Sequence, residues 1–177
     1  MTGSPLLNAF HQSNAALLTY TVGGDPNKET SLEIFREIAQ SGADIIECGL
    51  GHGANIGDGG AIQDGTYRAL SNGIKTDDVF DIIKTLRDEF DTNVIIMTYQ
   101  NKIMSYGEDS FLSKCVESKV AGIICVDWPW PLNLNFAAKC KNNNIDFIQL
   151  LCPTTNEKRL KLILNDAHDV VYYISML

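Results

Sequence analysis

The sequence predicts an α/β fold built on a parallel sheet, and three observations carry the prediction. Short apolar runs alternate with amphipathic stretches along the 177 residues. Within the runs, apolar side chains sit at consecutive rather than alternate positions, the pattern of strands covered on both faces by crossover helices. A strand-helix unit also recurs every ~25–30 residues, the size of a βα unit.

The first run is Ala15–Thr21. A helix from about Thr30 follows, with Leu32, Phe35, Ile38 and Ala39 on one face. Thr30 and Glu33 form a capping box, and Gly42 marks the stop. The second run is Asp44–Gly49, and after a glycine-rich loop Ala61–Leu70 reads as a short extra helix. Thr76 opens a clear helix with Val79, Ile82, Ile83, Leu86 and Phe90 at helical spacing and Asp77 and Asp78 at its dipole-positive end. The third run, Asn93–Tyr99, precedes a helix from about Glu108 to Ser118. The fourth, Gly122–Asp127, leads through the loop Trp128–Pro131 into a helix from about Leu132 to Asn142. The fifth, Asp146–Leu151, is followed by a helix capped by Thr155 and carrying Leu160, Ile163 and Leu164. The sixth is Asp169–Ser175.

No linker or composition shift divides residues 1–177, so one domain is expected. Right-handed crossovers leave a doubly wound sheet or a (β/α) barrel. Six strands make either an open sheet or a barrel cut short, since closure takes eight.

The formal charge is −8. An acidic chain is a poor binder of the nucleic-acid backbone, although a small phosphorylated ligand needs only a few local donors. No run reaches the roughly 18 apolar residues of a membrane span, and the N-terminus reads as neither a basic flank nor a signal-peptide core. Cys48, Cys115, Cys125, Cys140 and Cys152 are odd in number and contain no C-x-x-C pair, the pattern of reduced thiols in a cytoplasmic protein.

Parallel α/β folds place reactive groups at the carboxyl ends of strands. Those ends carry Tyr20, Gly23, Gly24 and Asp25, then Glu47, then Met97, Tyr99 and Asn101, then Asp127, and finally Tyr172 and Tyr173. Glu47 stands out because it interrupts an apolar strand, Ile45-Ile-Glu-Cys48, with no basic residue nearby in sequence. Burial would raise its pKa toward the range of a general acid/base, whereas a strand-end Glu facing water would do nothing. Asp58 in the following loop offers a second carboxylate, or a plain glycine-turn Asp. The loop Gly49–Gly60 holds Gly49-x-Gly51 but Ala54 at the next required glycine, and no Gly-Lys-Ser/Thr, so neither nucleotide motif is present. His52, without a His-x-x-x-His partner and far in sequence from His11 and His168, reads as a loop histidine rather than a metal ligand. Trp128 and Trp130 form either a partner surface or a packed loop cap.

In order, these segments resemble the tryptophan synthase alpha subunit family, from about Ala15 onward. The family's Thr-x-Gly-Asp-Pro corresponds to Thr21-Val-Gly-Gly-Asp25-Pro26, with one residue more. Its Gly-Ala-Asp-x-x-Glu-x-Gly is Gly42-Ala-Asp-Ile-Ile-Glu47-Cys-Gly49, and its Asp-Gly-x-x-Ile-Gln is Asp58-Gly-Gly-Ala-Ile62-Gln63. Arg68-Ala-Leu70, Tyr99-Gln-Asn101, Asp127-Trp-Pro129 and Tyr172-Tyr173 match further short motifs. One loop departs: where the family reads Pro-Tyr/Phe-Ser-Asp-Pro-x-Ala-Asp-Gly-Pro, this chain has Gly51-His-Gly-Ala-Asn-Ile-Gly-Asp58-Gly-Gly60.

The resemblance implies a (β/α)8 barrel, here about its first six βα segments. It implies a carbon–carbon lyase that cleaves indole-3-glycerol phosphate to indole and glyceraldehyde 3-phosphate. Glu47 matches the general acid/base at the ring carbon, and Asp58 the carboxylate assisting at the indole nitrogen. Tyr20, Met97, Tyr99, Ile124 and Tyr173 fall where the family lines its indole pocket. The resemblance implies no metal or organic cofactor for this subunit, and as partner the beta subunit, which carries pyridoxal phosphate. A truncated chain also fits a second reading, a non-catalytic remnant or a beta-subunit-binding fragment.

Overall fold

The computed structural model describes residues 4–10 and 15–175, so His11 lies outside the described residues. In chain order the elements are α1 (Leu7–Phe10), β1 (Leu18–Val22), α2 (Lys28–Gln40), β2 (Ile45–Gly49), α3 (Gly60–Ser71), α4 (Thr76–Glu89), β3 (Asn93–Thr98) and α5 (Gln100–Tyr106). They continue as α6 (Glu108–Glu117), β4 (Gly122–Cys125), α7 (Leu134–Asn142), β5 (Asp146–Phe147), β6 (Gln149–Leu151), α8 (Glu157–Asp166) and β7 (Val171–Tyr173).

All strand pairings are parallel. One sheet has the order β1-β2-β3-β4-β5 and a second joins β6 to β7. Neighbours in sequence are neighbours in space throughout, which is the topology of a barrel wall and not of a doubly wound sheet. The fold is thus a partial (β/α)8 barrel. The fifth apolar run, expected as one strand, is divided. Asp146 and Phe147 pair with β4, Gln149–Leu151 pair with β7, and the Ile148 N–H still donates to Ile123 O at 2.9 Å. Stagger between successive barrel strands accounts for this, because one strand meets its two neighbours at different heights.

Side chains alternate across this wall. Ile46, Cys48, Val94, Ile96, Ile123 and Phe147 point outward into the main core beneath the helices, with Phe35, Phe80, Ile83, Leu86, Phe111 and Phe136. Ile45, Ile95, Ile124 and Ile148 point inward. There they meet Leu6 and Ala9, so α1 plugs the amino-terminal end of the wall. The Ser4 hydroxyl and the His168 ring both bond the buried Asp146 carboxylate, and Ser4 N donates to Asp169 at 2.8 Å, which pins the plug to β5 and to the approach to β7.

Three local expectations are corrected. The caps of α2 and α8 are Asn27 and Asn156, whose side chains accept from Thr30 N and Arg159 N; Thr30 is already helical, and the Thr155 hydroxyl accepts from Cys152 N instead. In each case the asparagine immediately before the first helical residue has the extended backbone that a cap requires. Helix α5 was not expected, because its start is capped from a distant strand end: Asp127 accepts from Gln100 N at 2.6 Å. Gly42 ends α2 as expected, at φ 92°.

Candidate active site

The register of the wall builds the site. Tyr20 pairs with Glu47 and Glu47 with Ile95, while Gly49 pairs with Met97 and Met97 with Ile124. Tyr20, Glu47, Met97 and Ile124 therefore share the inner face near the carboxyl ends of their strands. Together with Asp58 they line a cleft of about 300 Å³, the small end of the range for small-molecule sites. Its remaining apolar wall comes from Ile62, Val126, Leu150, Tyr172 and Ile174.

Glu47 is 2% exposed, and burial pushes its carboxyl up to about 7. A group with that value exchanges protons in either direction near neutral pH. The Tyr20 phenol is held protonated, well above its ordinary value, first by burial and then by the nearby charges of Asp58, Cys48 and Glu47. Its ring occupies the space above Gly49, where any Cβ would collide with the phenol.

Asp58 is half-buried at the rim. The loop that carries it leaves β2 through Leu50, whose N–H donates to Met97 O at 2.9 Å, and enters α3 at Gly59. In between, Asp58 N donates to Asn55 O at 3.1 Å and Gln63 Nε2 donates to Asp58 O at 2.8 Å.

Two predicted pocket residues lie elsewhere. Tyr99 does not border the cleft itself: it is 5% exposed against the loop that carries Asp58, with its hydroxyl accepting from Gly57 N at 3.1 Å. Tyr173 is a correction: it is 59% exposed on the outer face, and Tyr172 takes the place in the cleft. Adjacent strand residues face opposite ways, so the two tyrosines cannot both line one pocket. Alternation counted from Ile124 would have found Val126, whereas Tyr172 follows only from its pairing opposite Leu150.

Other candidates are structural. Asp127 caps α5, and Asp25 forms a bidentate pair with Arg68 at 2.9 and 2.6 Å. Trp128 is buried and stacked on Phe136 at 5.3 Å, while Trp130 Nε1 donates to Asp166 at 2.7 Å, so this loop is a packed cap. Among the described residues no three His, Cys, Asp or Glu side chains gather to hold a metal ion.

A partial parallel barrel with a buried carboxyl acid and a loop carboxylate beside an apolar cleft defines a (β/α) barrel protein with a candidate acid/base site at the carboxyl ends of its strands. A family model described as tryptophan synthase alpha chain matches residues 6–177, and the chain belongs to that family. It is similar to the tryptophan synthase alpha chain of Pelagibacter ubique, 51% identical over 94% of this chain and 63% of that one. The alpha chain of Petrotoga mobilis is 36% identical over 97% of this chain and 66% of its own length. The chain thus spans just under two thirds of these relatives. A chain from the solved tryptophan synthase α2β2 complex of Pyrococcus furiosus superimposes with a TM-score of 0.85 at 32% identity, covering 99% of this chain and 66% of that one.

Proposed function

We propose that this chain carries the lyase site of its family, for retro-aldol cleavage of indole-3-glycerol phosphate to indole and glyceraldehyde 3-phosphate. The observation that carries the reading is the Glu47 carboxyl, buried, raised to about 7 and opening into an apolar cleft with Asp58 at the rim.

The chemistry needs one proton delivered and one removed. Protonated Glu47 gives its proton to the indole carbon that bears the glycerol chain. Positive charge then develops toward the ring nitrogen, which the Asp58 carboxylate faces and stabilises. The hydroxyl on the first carbon of the substrate's glycerol chain then gives its proton to Glu47. The carbon–carbon bond breaks, its electrons restore the indole, and the carbinol becomes the aldehyde. Glu47 ends protonated as it began, which is why a value close to working pH suits it. Met97, Ile124 and Tyr172 provide apolar surface for the flat ring.

The proposed partner is a tryptophan synthase beta subunit that consumes the indole, in line with the similarity to a chain of an α2β2 complex. The compartment is the cytoplasm, where the five free thiols would persist. The test is indole release by the purified chain, with and without a beta subunit, beside Glu47→Gln. Release that disappears in the variant supports the reading. Release indifferent to Glu47, or none from a folded chain under either condition, refutes it.

A further inference from the structure

The residue that stands out beside the cleft is His52, which lines no part of it. Its ring lies on the Tyr99 ring, centroids 5.1 Å apart and planes inclined by 26°. Its Nδ1 accepts from Ala54 N at 3.0 Å. On the other side of this stack, the Tyr99 hydroxyl accepts from Gly57 N at 3.1 Å. Gly57 fits closely there: a Cβ would stand 3.2 Å from the Tyr99 oxygen and 3.3 Å from Val126. The next residue is Asp58, whose charge acts on the Tyr99 phenol.

We infer that His52 is a positioning residue for Asp58, acting through Tyr99: the imidazole pins the tyrosine, and the tyrosine fixes the loop at Gly57. The segment from Gly51 to Gly60 has five glycines and no proline, so its free chain has much conformational freedom to lose. Backbone stiffness does not hold Asp58 in place. The clasp from His52 to Tyr99 to Gly57 does, together with the Gln63 bond to Asp58 O. The Tyr99 backbone is held at the end of β3, and the His52 ring holds its side chain where the hydroxyl meets Gly57 N, so the clasp ties a glycine-rich loop to the wall.

The inference rests on the proposed lyase reading for its catalytic consequence, while its structural content is tested separately. His52→Ala removes the ring and the acceptor, His52→Phe restores the ring alone, and His52→Asn restores an acceptor alone. Where the chain turns over, kcat falls roughly tenfold in His52→Ala and His52→Asn with KM little changed, the cost of a misplaced catalytic group, and returns close to the starting value in His52→Phe. A thermal midpoint unchanged in all three separates positioning from loss of fold.

Amide exchange at Gly57 and Asp58, read by NMR without substrate, is independent of turnover. It accelerates about three- to tenfold in the Ala and Asn variants, the range that an aromatic pair supplies, and stays slow in Phe. Equal exchange in all four proteins overturns the clasp, as does protection in Asn but not in Phe. A clasp intact by exchange in a chain without Glu47-dependent cleavage would instead count against the lyase reading alone.

Discussion

Replacing Glu47 with Gln should stabilise the protein at neutral and alkaline pH while removing its activity. Burial alone raises the Glu47 carboxyl from the ordinary 4.5 to about 7, so the folded chain holds this proton more tightly than the unfolded chain does. At low pH the group is protonated in both states and costs nothing. As pH rises through 4.5 the unfolded chain releases its proton first, and stability falls until the folded chain also ionises near 7. At about 1.4 kcal/mol per pH unit, the interval amounts to about 3 kcal/mol of destabilisation, fully present above 7. Gln has nearly the same shape and no charge at any pH. Its packing offset is constant, so the pH-dependent part of the difference isolates the carboxyl. Urea unfolding at about pH 4.5 and about pH 8, compared at equal m-value, should show the variant gaining about 3 kcal/mol on the wild type between the two conditions. A difference that stays flat with pH would mean that Glu47 is solvated, and the acid role would lose its basis. The wild-type cleavage rate should also decline above about 7, roughly tenfold per pH unit, as the proton donor is lost.

Gly49→Ala places a Cβ against the Tyr20 phenol, and cleavage efficiency should drop at least roughly tenfold as the ring is displaced from beside Glu47. Steady-state kinetics read this, and an unchanged kcat/KM would show that Tyr20 does not shape the cleft. Tyr172→Ala should raise KM several-fold for the indole substrate, about the loss of one aromatic wall, whereas Tyr173→Ala should leave it unchanged. The opposite result would reverse the facing assigned to β7. Leu6→Ala empties the plug, where Leu6 is 1% exposed, and should cost about 2–4 kcal/mol in urea unfolding; a cost near zero would mean that α1 does not dock. Gly60→Pro should raise stability by about 0.4–1 kcal/mol, because Gly60 is the first residue of α3, has open space where a Cβ would go, and follows an extended Gly59 (φ −71°, ψ 164°). A lower urea midpoint would show that this turn must stay free.

The strands were legible because burial on both faces leaves a run such as Val94–Met97 wholly apolar, and Glu47 was legible as the exception within Ile45–Cys48. Helix α4 was legible because fourteen residues show several turns of one periodicity. Helix α5 was not, since seven residues show barely two turns and its N-terminal donor is satisfied by Asp127 from the end of the next strand. The choice between Tyr172 and Tyr173 could not come from composition, because a shift of one residue exchanges the two faces of a strand. Only pairing to β6, with Leu150 opposite Tyr172, fixes it. The division of the fifth run at Ile148 is likewise a property of the curved wall, which no single run encodes.

The two carboxylates are mounted by opposite means, and the difference fits their proposed tasks. Glu47 must exist both with and without its proton, which demands a dry, fixed setting. A central strand supplies that, because both flanking strands hold its backbone and inner side chains cover it. Asp58 has to meet charge that appears only at the ring nitrogen, after the substrate has entered, so it belongs on a segment at the rim. A rim segment cannot borrow the rigidity of the wall through its own backbone ladder. It acquires that rigidity at two points, Gly57 on Tyr99 and the Asp58 carbonyl on Gln63, one from a strand end and one from a helix start. With Gly51, Asn55 and Gly60 at the positions where the family places proline, those ties replace backbone stiffness. In the proposed reaction, precision at Asp58 then depends on residues that touch no substrate, whereas precision at Glu47 comes from the sheet itself.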